Sequence, residues 1–138
     1  MTDAALQFAS IDPDAETFQT LRRELGVTSF GINLLKLAPR QRLRVHRHQR
    51  QEEVYLILDG ELTLIVEGEP HVLGEGDLVR VGPELKRQLT NPSEAPVVIL
   101  ALGGDGSHEG RDGIAWAGWD EEGEGRSPQE VPLPDDLP

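Results

Sequence analysis

A chain of 138 residues without a single cysteine has the length of one domain, and it can hold no disulfide, thiolate metal site or cysteine nucleophile. Its formal charge of −12 argues against general nucleic-acid binding, which needs a basic surface to neutralise phosphates. No apolar run approaches the length that spans a bilayer, and residues 1–10 lack the positive and apolar regions of a secretory signal. The expectation is therefore a cytoplasmic protein with no membrane partner.

In chain order, residues 1–26 form a lead-in. Phe18, Leu21, Arg22 and Leu25 lie along one side of a short helix predicted from Asp14 to Leu25, with Gly26 as its stop. From Val27 the period changes to that of strands. Val27–Phe30 and Ile32–Leu37 precede a turn at Ala38-Pro39, and Leu43–His48 and Val54–Leu58 follow. Asp59-Gly60 reads as a tight hairpin turn into Leu62–Val66. Further turns at 67–70 and 74–77 enclose the short strand His71–Leu73, and Leu78–Val81, Leu85–Leu89 and Val97–Leu102 complete the series.

Many short strands between Gly, Pro and Asp turns predict an all-β sandwich or barrel over residues 27–102. Residues 103–138 form a Gly/Pro-rich extension that cannot fill a second core. Residues 105–138 carry 10 acidic and 2 basic side chains, net −8, against net −4 from 15 acidic and 11 basic in residues 1–104. Trp116 and Trp119 are expected to pin part of this extension onto the barrel, and the residues beyond about 121 to run free. The opposite charge bias lies in residues 40–50, where Arg40, Arg42, Arg44, Arg47 and Arg50 accompany His46 and His48 with no acid among them.

His46 and His48, one residue apart, point to the same side of a strand. Glu53 can be brought beside them by the next strand, and two imidazoles with a carboxylate suit one divalent metal: Fe²⁺, Mn²⁺, Ni²⁺ or Zn²⁺. Arg42 and Arg44 share the histidines' parity, so a regular strand gives a basic pocket suited to a small anionic molecule; a bulge would instead carry these arginines to the rim. Tyr55 shares the parity of Glu53. The two are candidate catalytic residues, the phenol serving in binding or proton transfer, with a plain core tyrosine as the other reading. His71 is expected at the surface, and His108 lies in the glycine-rich segment. Leu43 and Val45 have the opposite parity to the histidines. They are expected to face outward and to need cover from the lead-in or a second subunit, which favours a homodimer.

His46-x-His48-x₄-Glu53-x₆-Gly60 resembles the first motif of the cupins, the superfamily of small β-barrels, and Gly76-Asp77 through Asn91 resembles the second. The resemblance covers residues 27 to 102 and implies a cupin-type double-stranded β-helix, or jelly roll. It further implies a metal site of three histidines and one glutamate. The last histidine falls on Arg87, which donates only and cannot ligate a cation, and the usual Pro-x-Gly turn is shifted to Gly82-Pro83-Glu84. Two roles for Arg87 stay open: a bidentate pair with Glu53 that braces the barrel in place of a metal, or a ligand-binding residue facing an anion. Cupin barrels host many chemistries and also non-catalytic binding proteins, so enzyme and binding module both remain possible readings.

Overall fold

The computed structural model describes residues 5–104 and 112–138. Its elements are β1 (Phe18–Gln19), α1 (Leu21–Leu25), β2 (Gly31–Leu37), β3 (Val45–His48), β4 (Glu52–Asp59), β5 (Leu62–Val66), β6 (Glu69–Leu73), β7 (Leu78–Val81), β8 (Arg87–Thr90), β9 (Val97–Gly104) and β10 (Gly113–Trp116), with a 3-10 turn at Pro128–Glu130. They build two antiparallel five-stranded sheets, β1-β2-β9-β4-β7 and β10-β3-β8-β5-β6. From β2 onward the chain passes from one sheet to the other at nearly every connection. This is the expected jelly-roll barrel. Its core is apolar, with Leu35, Leu37, Ile57, Leu62, Leu64, Leu89, Val97 and Ile99 packed between the sheets. Among the described residues no helix is long and apolar enough to cross a membrane.

Three local expectations are corrected. The helix is confined to Leu21–Leu25, ended by Gly26 at φ 71°, because Phe18 and Gln19 pair instead with Leu35 and Leu34 of β2. Residues 27–30 form no strand. Asp59-Gly60 is not a hairpin turn: β4 pairs with β7 and β9, and β5 with β6 and β8, so this turn carries the chain between sheets. The tight hairpin is the next one, β5 to β6, where Glu67 (φ 49°) and Gly68 (φ 83°) both take positive φ, as a type I′ turn requires.

Gly60 is held by space as well as by conformation. It has φ 82°, and a Cβ there would lie 2.4 Å from the Pro96 carbonyl oxygen, whereas Gly68 at φ 83° has open space around it. Gly68→Ala should therefore cost only the left-handed backbone, about 1–2 kcal/mol. Gly60→Ala should cost at least about 2 kcal/mol more, because backbone must move. Urea unfolding of the two variants side by side measures the difference.

The C-terminal extension is part of the barrel. β10 pairs along the edge of β3, Gly113 opposite His48 and Trp116 opposite Val45, and Ala115 bridges back to Arg126. Trp116 is buried with the Lys86 ammonium 4.0 Å above its ring, and Trp119 Nε1 donates to Gln88 Oε1 at 2.9 Å. Residues beyond 121 do not run free. Val131 is buried, Arg44 Nε donates to the Val131 carbonyl, Arg42 Nε to that of Asp135, and Arg40 Nη2 to that of Pro138. The basic run thus grips main-chain carbonyls, which accept from a guanidinium whatever side chains surround them.

Leu43 and Val45 are 5% and 1% exposed in the single chain, so their burial needs no second subunit. For Leu43 the reason is a bulge. Arg42 bridges Thr90 and His46 pairs with Arg87, four steps along one strand against three along the other. The extra residue breaks the alternation and turns Leu43 into the core.

Candidate functional site

The two sheets meet over a cavity of about 320 Å³ whose walls include Arg44, His46, His48, Glu53 and Tyr55. The histidines come from β3 of one sheet and Glu53 from β4 of the other. Arg42, on the far side of the bulge, is not on the wall and is spent on the C-terminal segment. Leu43, expected outside, takes its place.

Every polar neighbour of Glu53 converges on one oxygen. Oε1 accepts from Arg87 Nη2 at 2.6 Å and from the Tyr55 hydroxyl at 2.6 Å, and it lies 3.2 Å from His48 Nε2 and 3.5 Å from His46 Nε2. Burial by itself would raise the Glu53 pKa, but the contacts with His46 and His48 reverse this and hold it well below the usual carboxylate range. Burial, reinforced by the Glu53 charge, pushes the Tyr55 phenol well above its ordinary value. Glu53 is therefore a fixed anion and Tyr55 a fixed donor at neutral pH.

Arg87 lies behind Glu53, its side chain 0% exposed, and is absent from the cavity wall. The pair is not bidentate. Nη2 goes to Glu53, while Nη1 donates to the Leu85 carbonyl at 2.8 Å and lies within 3.3 and 3.4 Å of the Gly82 and Pro83 carbonyls. The shifted Gly82-Pro83-Glu84 turn thus cradles the guanidinium. A group so enclosed is placed as a brace between the sheets and does not reach the cavity wall, although its Nε is left without a partner.

Asp112, which no spacing in the sequence singles out, completes the site. Its Oδ1 lies 2.7 Å from His48 Nδ1 and accepts from Gln51 Nε2 at 2.9 Å, and its Oδ2 accepts from the backbone N–H groups of Gln51 and Arg50. Burial would raise the Asp112 pKa; the His48 bond and the two amides more than offset this, and the net shift is downward. Burial likewise would lower that of His48, but Glu53 and Asp112 raise it on balance. His71 is at the surface, and His108 lies outside the described residues.

The donor set fits a cation. His48 Nδ1 faces a carboxylate and His46 Nδ1 faces the Arg44 carbonyl at 3.3 Å. Both partners accept only, so each Nδ1 carries the hydrogen, which leaves Nε2 of each ring as the atom aimed at Glu53 Oε1 and open to a proton or a metal ion. Three electron-rich atoms this close repel unless protons or a metal ion lie among them. Donors about 2.1 Å from a shared ion stand about 3.0–3.4 Å apart at octahedral to tetrahedral angles, close to the separations of 3.2 and 3.5 Å found here. His46, His48 and Glu53 are the group able to hold a metal ion among the described residues.

Residues 33–103 match the family described as Cupin domain. Among solved structures, the chain is similar to a cupin protein from Bacteroides fragilis, at 30% identity and TM-score 0.65, over 75% of this chain and 88% of that one. A sugar phosphate isomerase from a cupin superfamily, from Silicibacter pomeroyi, is 25% identical at TM-score 0.62, over 72% of this chain and 64% of that one. A Cupin 2 conserved barrel domain protein from Salinispora arenicola shares the fold at 20% identity and TM-score 0.59, over 72% and 89%. No curated protein matches. With the barrel, both motifs and the family match in agreement, the chain belongs to the cupin superfamily as a small, single-barrel member.

Proposed function

We propose that the protein holds one divalent cation, Fe²⁺, Mn²⁺, Ni²⁺ or Zn²⁺, through His46, His48 and Glu53, and binds a small carboxylate- or phosphate-bearing molecule beside it. The observation that carries this reading is the convergence of two imidazole Nε2 atoms and one carboxylate oxygen on one point of a walled cavity. A bound cation would act as a Lewis acid on an oxygen of that molecule. The chain's own residues orient and select. Asp112 fixes the His48 ring, Arg44 keeps the histidines' side of the strand and supplies a cationic group on the wall, and Leu35, Leu43 and Leu89 exclude water from the cavity's apolar side. Similarity to a sugar phosphate isomerase at 25% identity agrees with an anionic, oxygen-rich ligand.

One observation favours a second reading. The Arg87–Glu53 contact of 2.6 Å already ties the two sheets together, so a non-catalytic binding protein whose arginine replaces the metal is the alternative. Calorimetric titration of chelator-stripped protein with Ni²⁺ and Mn²⁺ separates the two. The cation reading expects one site per chain, lost in both His46→Ala and His48→Ala. An absence of binding up to millimolar metal, in protein that still binds phosphate, would leave the brace reading in its place.

A further inference from the structure

Next to this cavity a second chamber of about 250 Å³ shares Asn33, His48, Glu53 and Ala101 with it, and Arg22 and Arg23 are among the other residues of its wall. The sequence makes this room at two cross-strand rows. Gly31, Gly103 and Glu53 stand abreast on β2, β9 and β4, and Asn33, Ala101 and Tyr55 form the next row. A Cβ at Gly103 would meet the Glu53 Cγ at 3.4 Å, so a larger residue there would press on the carboxylate that the site depends on. With glycine and alanine at the middle positions, only small side chains stand between the two chambers beside the Asn33 amide.

Asn33 is the unexplained group in this passage. Its Oδ1 is buried and has no hydrogen-bond partner, an arrangement that costs about 1–3 kcal/mol unless something donates to it. Asn33 lines both chambers, and an unpaired acceptor just beneath such a wall is suited to a ligand hydroxyl once the amide turns toward it. In the second chamber, Arg22 commits Nη1 to the Val27 carbonyl, and Arg23 is exposed at the chamber's edge. The two acids on the chamber wall, Glu53 and Asp112, are already engaged by Arg87 and His48, so the arginines set the sign of charge that an incoming group meets there.

We infer that the ligand lies across both chambers: a hydroxyl donates to Asn33 Oδ1 and an anionic end reaches Arg22 and Arg23. The class is a short hydroxylated phosphate or carboxylate. This rests on the small-anion half of the proposed function and is independent of the cation.

Glycerol 3-phosphate and propyl phosphate, alike in length but with and without hydroxyls, are the probes, titrated calorimetrically into metal-loaded and chelator-stripped protein. Wild type should prefer glycerol 3-phosphate at least tenfold. Asn33→Leu should bring that preference to about one while leaving propyl phosphate affinity unchanged, and its melting temperature should not fall, since an unpaired buried acceptor has been removed. Asn33→Ala provides the same comparison if the leucine does not fit. Arg22→Gln with Arg23→Gln should weaken both phosphates at least tenfold and keep their ratio. An unchanged preference in the Asn33 variants, unchanged phosphate affinity in the double arginine variant, or no binding of either phosphate by wild type overturns the inference. A preference that persists in stripped protein that takes up no metal upholds the inference while the cation reading fails.

Discussion

Arg87→Met should destabilise the protein by about 3–5 kcal/mol in urea unfolding, the cost of removing one partner from a buried ion pair. The guanidinium is fully enclosed, with one nitrogen on Glu53 and another on the 82–85 turn, so its loss strands the Glu53 charge between the sheets and frees three carbonyls. Adding Glu53→Gln should return more than half of the loss, because the stranded charge is then gone. A double variant no more stable than Arg87→Met would show that the turn, and not the ion pair, is what Arg87 supports. Arg87→His tests the same geometry from the metal's side. It withdraws a positive charge from Glu53 Oε1 and supplies the imidazole that the family's motif has at this position. Ni²⁺ affinity should rise at least tenfold, about 1.4 kcal/mol, and equal affinity would mean that the guanidinium does not compete with the cation.

The second large effect belongs to Asp112. The four contacts given to its carboxylate are all donors: His48 Nδ1, Gln51 Nε2 and the amides of Arg50 and Gln51. Asp112→Asn preserves size but replaces one accepting oxygen with an NH₂ that must face at least one of these donors. Loss of a carboxylate behind a ligating histidine typically costs 10–100-fold in metal affinity. Here Asp112 also restores the negative charge that Arg87 offsets at Glu53, so we expect at least tenfold weaker Ni²⁺ binding and a lower melting temperature in the stripped protein. Titration and thermal unfolding of one variant check both. Unchanged metal affinity alongside a lowered melting temperature would reduce Asp112 to a clamp on the 49–51 turn.

The strand series and the His46, His48 and Glu53 set could be read from the sequence because they rest on short-range rules. Alternation puts two histidines on one face, and glycine marks the turns. What lay beyond reach depends on long-range pairing. The β-bulge that turns Leu43 inward and separates Arg42 from Arg44 shows only when Arg42 is matched to Thr90 and His46 to Arg87; nothing within residues 40–48 announces it. Asp112 sits in the Gly/Pro-rich extension, whose composition argues for a free tail beyond about residue 121. That argument failed because it counted side chains, whereas the segment is held by its backbone, through β10 and the carbonyls taken by Arg40, Arg42 and Arg44. Composition says nothing about main-chain carbonyls, which every residue carries. The Asp59-Gly60 turn was misread for a related reason: its sequence suits a hairpin, but the preference of β4 for β7 and β9 is settled elsewhere in the chain.

The pairing of β10 with β3 also orders events during synthesis. His46, His48, Glu53 and Arg87 all leave the ribosome before the segment that covers the β3 edge and supplies Asp112. Until that segment arrives, β3 has one open row of amides and carbonyls, and an open strand edge invites pairing with another nascent chain. The arginines of residues 40–44, waiting for their carbonyl partners, keep that interval charged and discourage such pairing. Completion of the contacts around His48 and protection of the edge are thus one late event, timed by the arrival of a single strand.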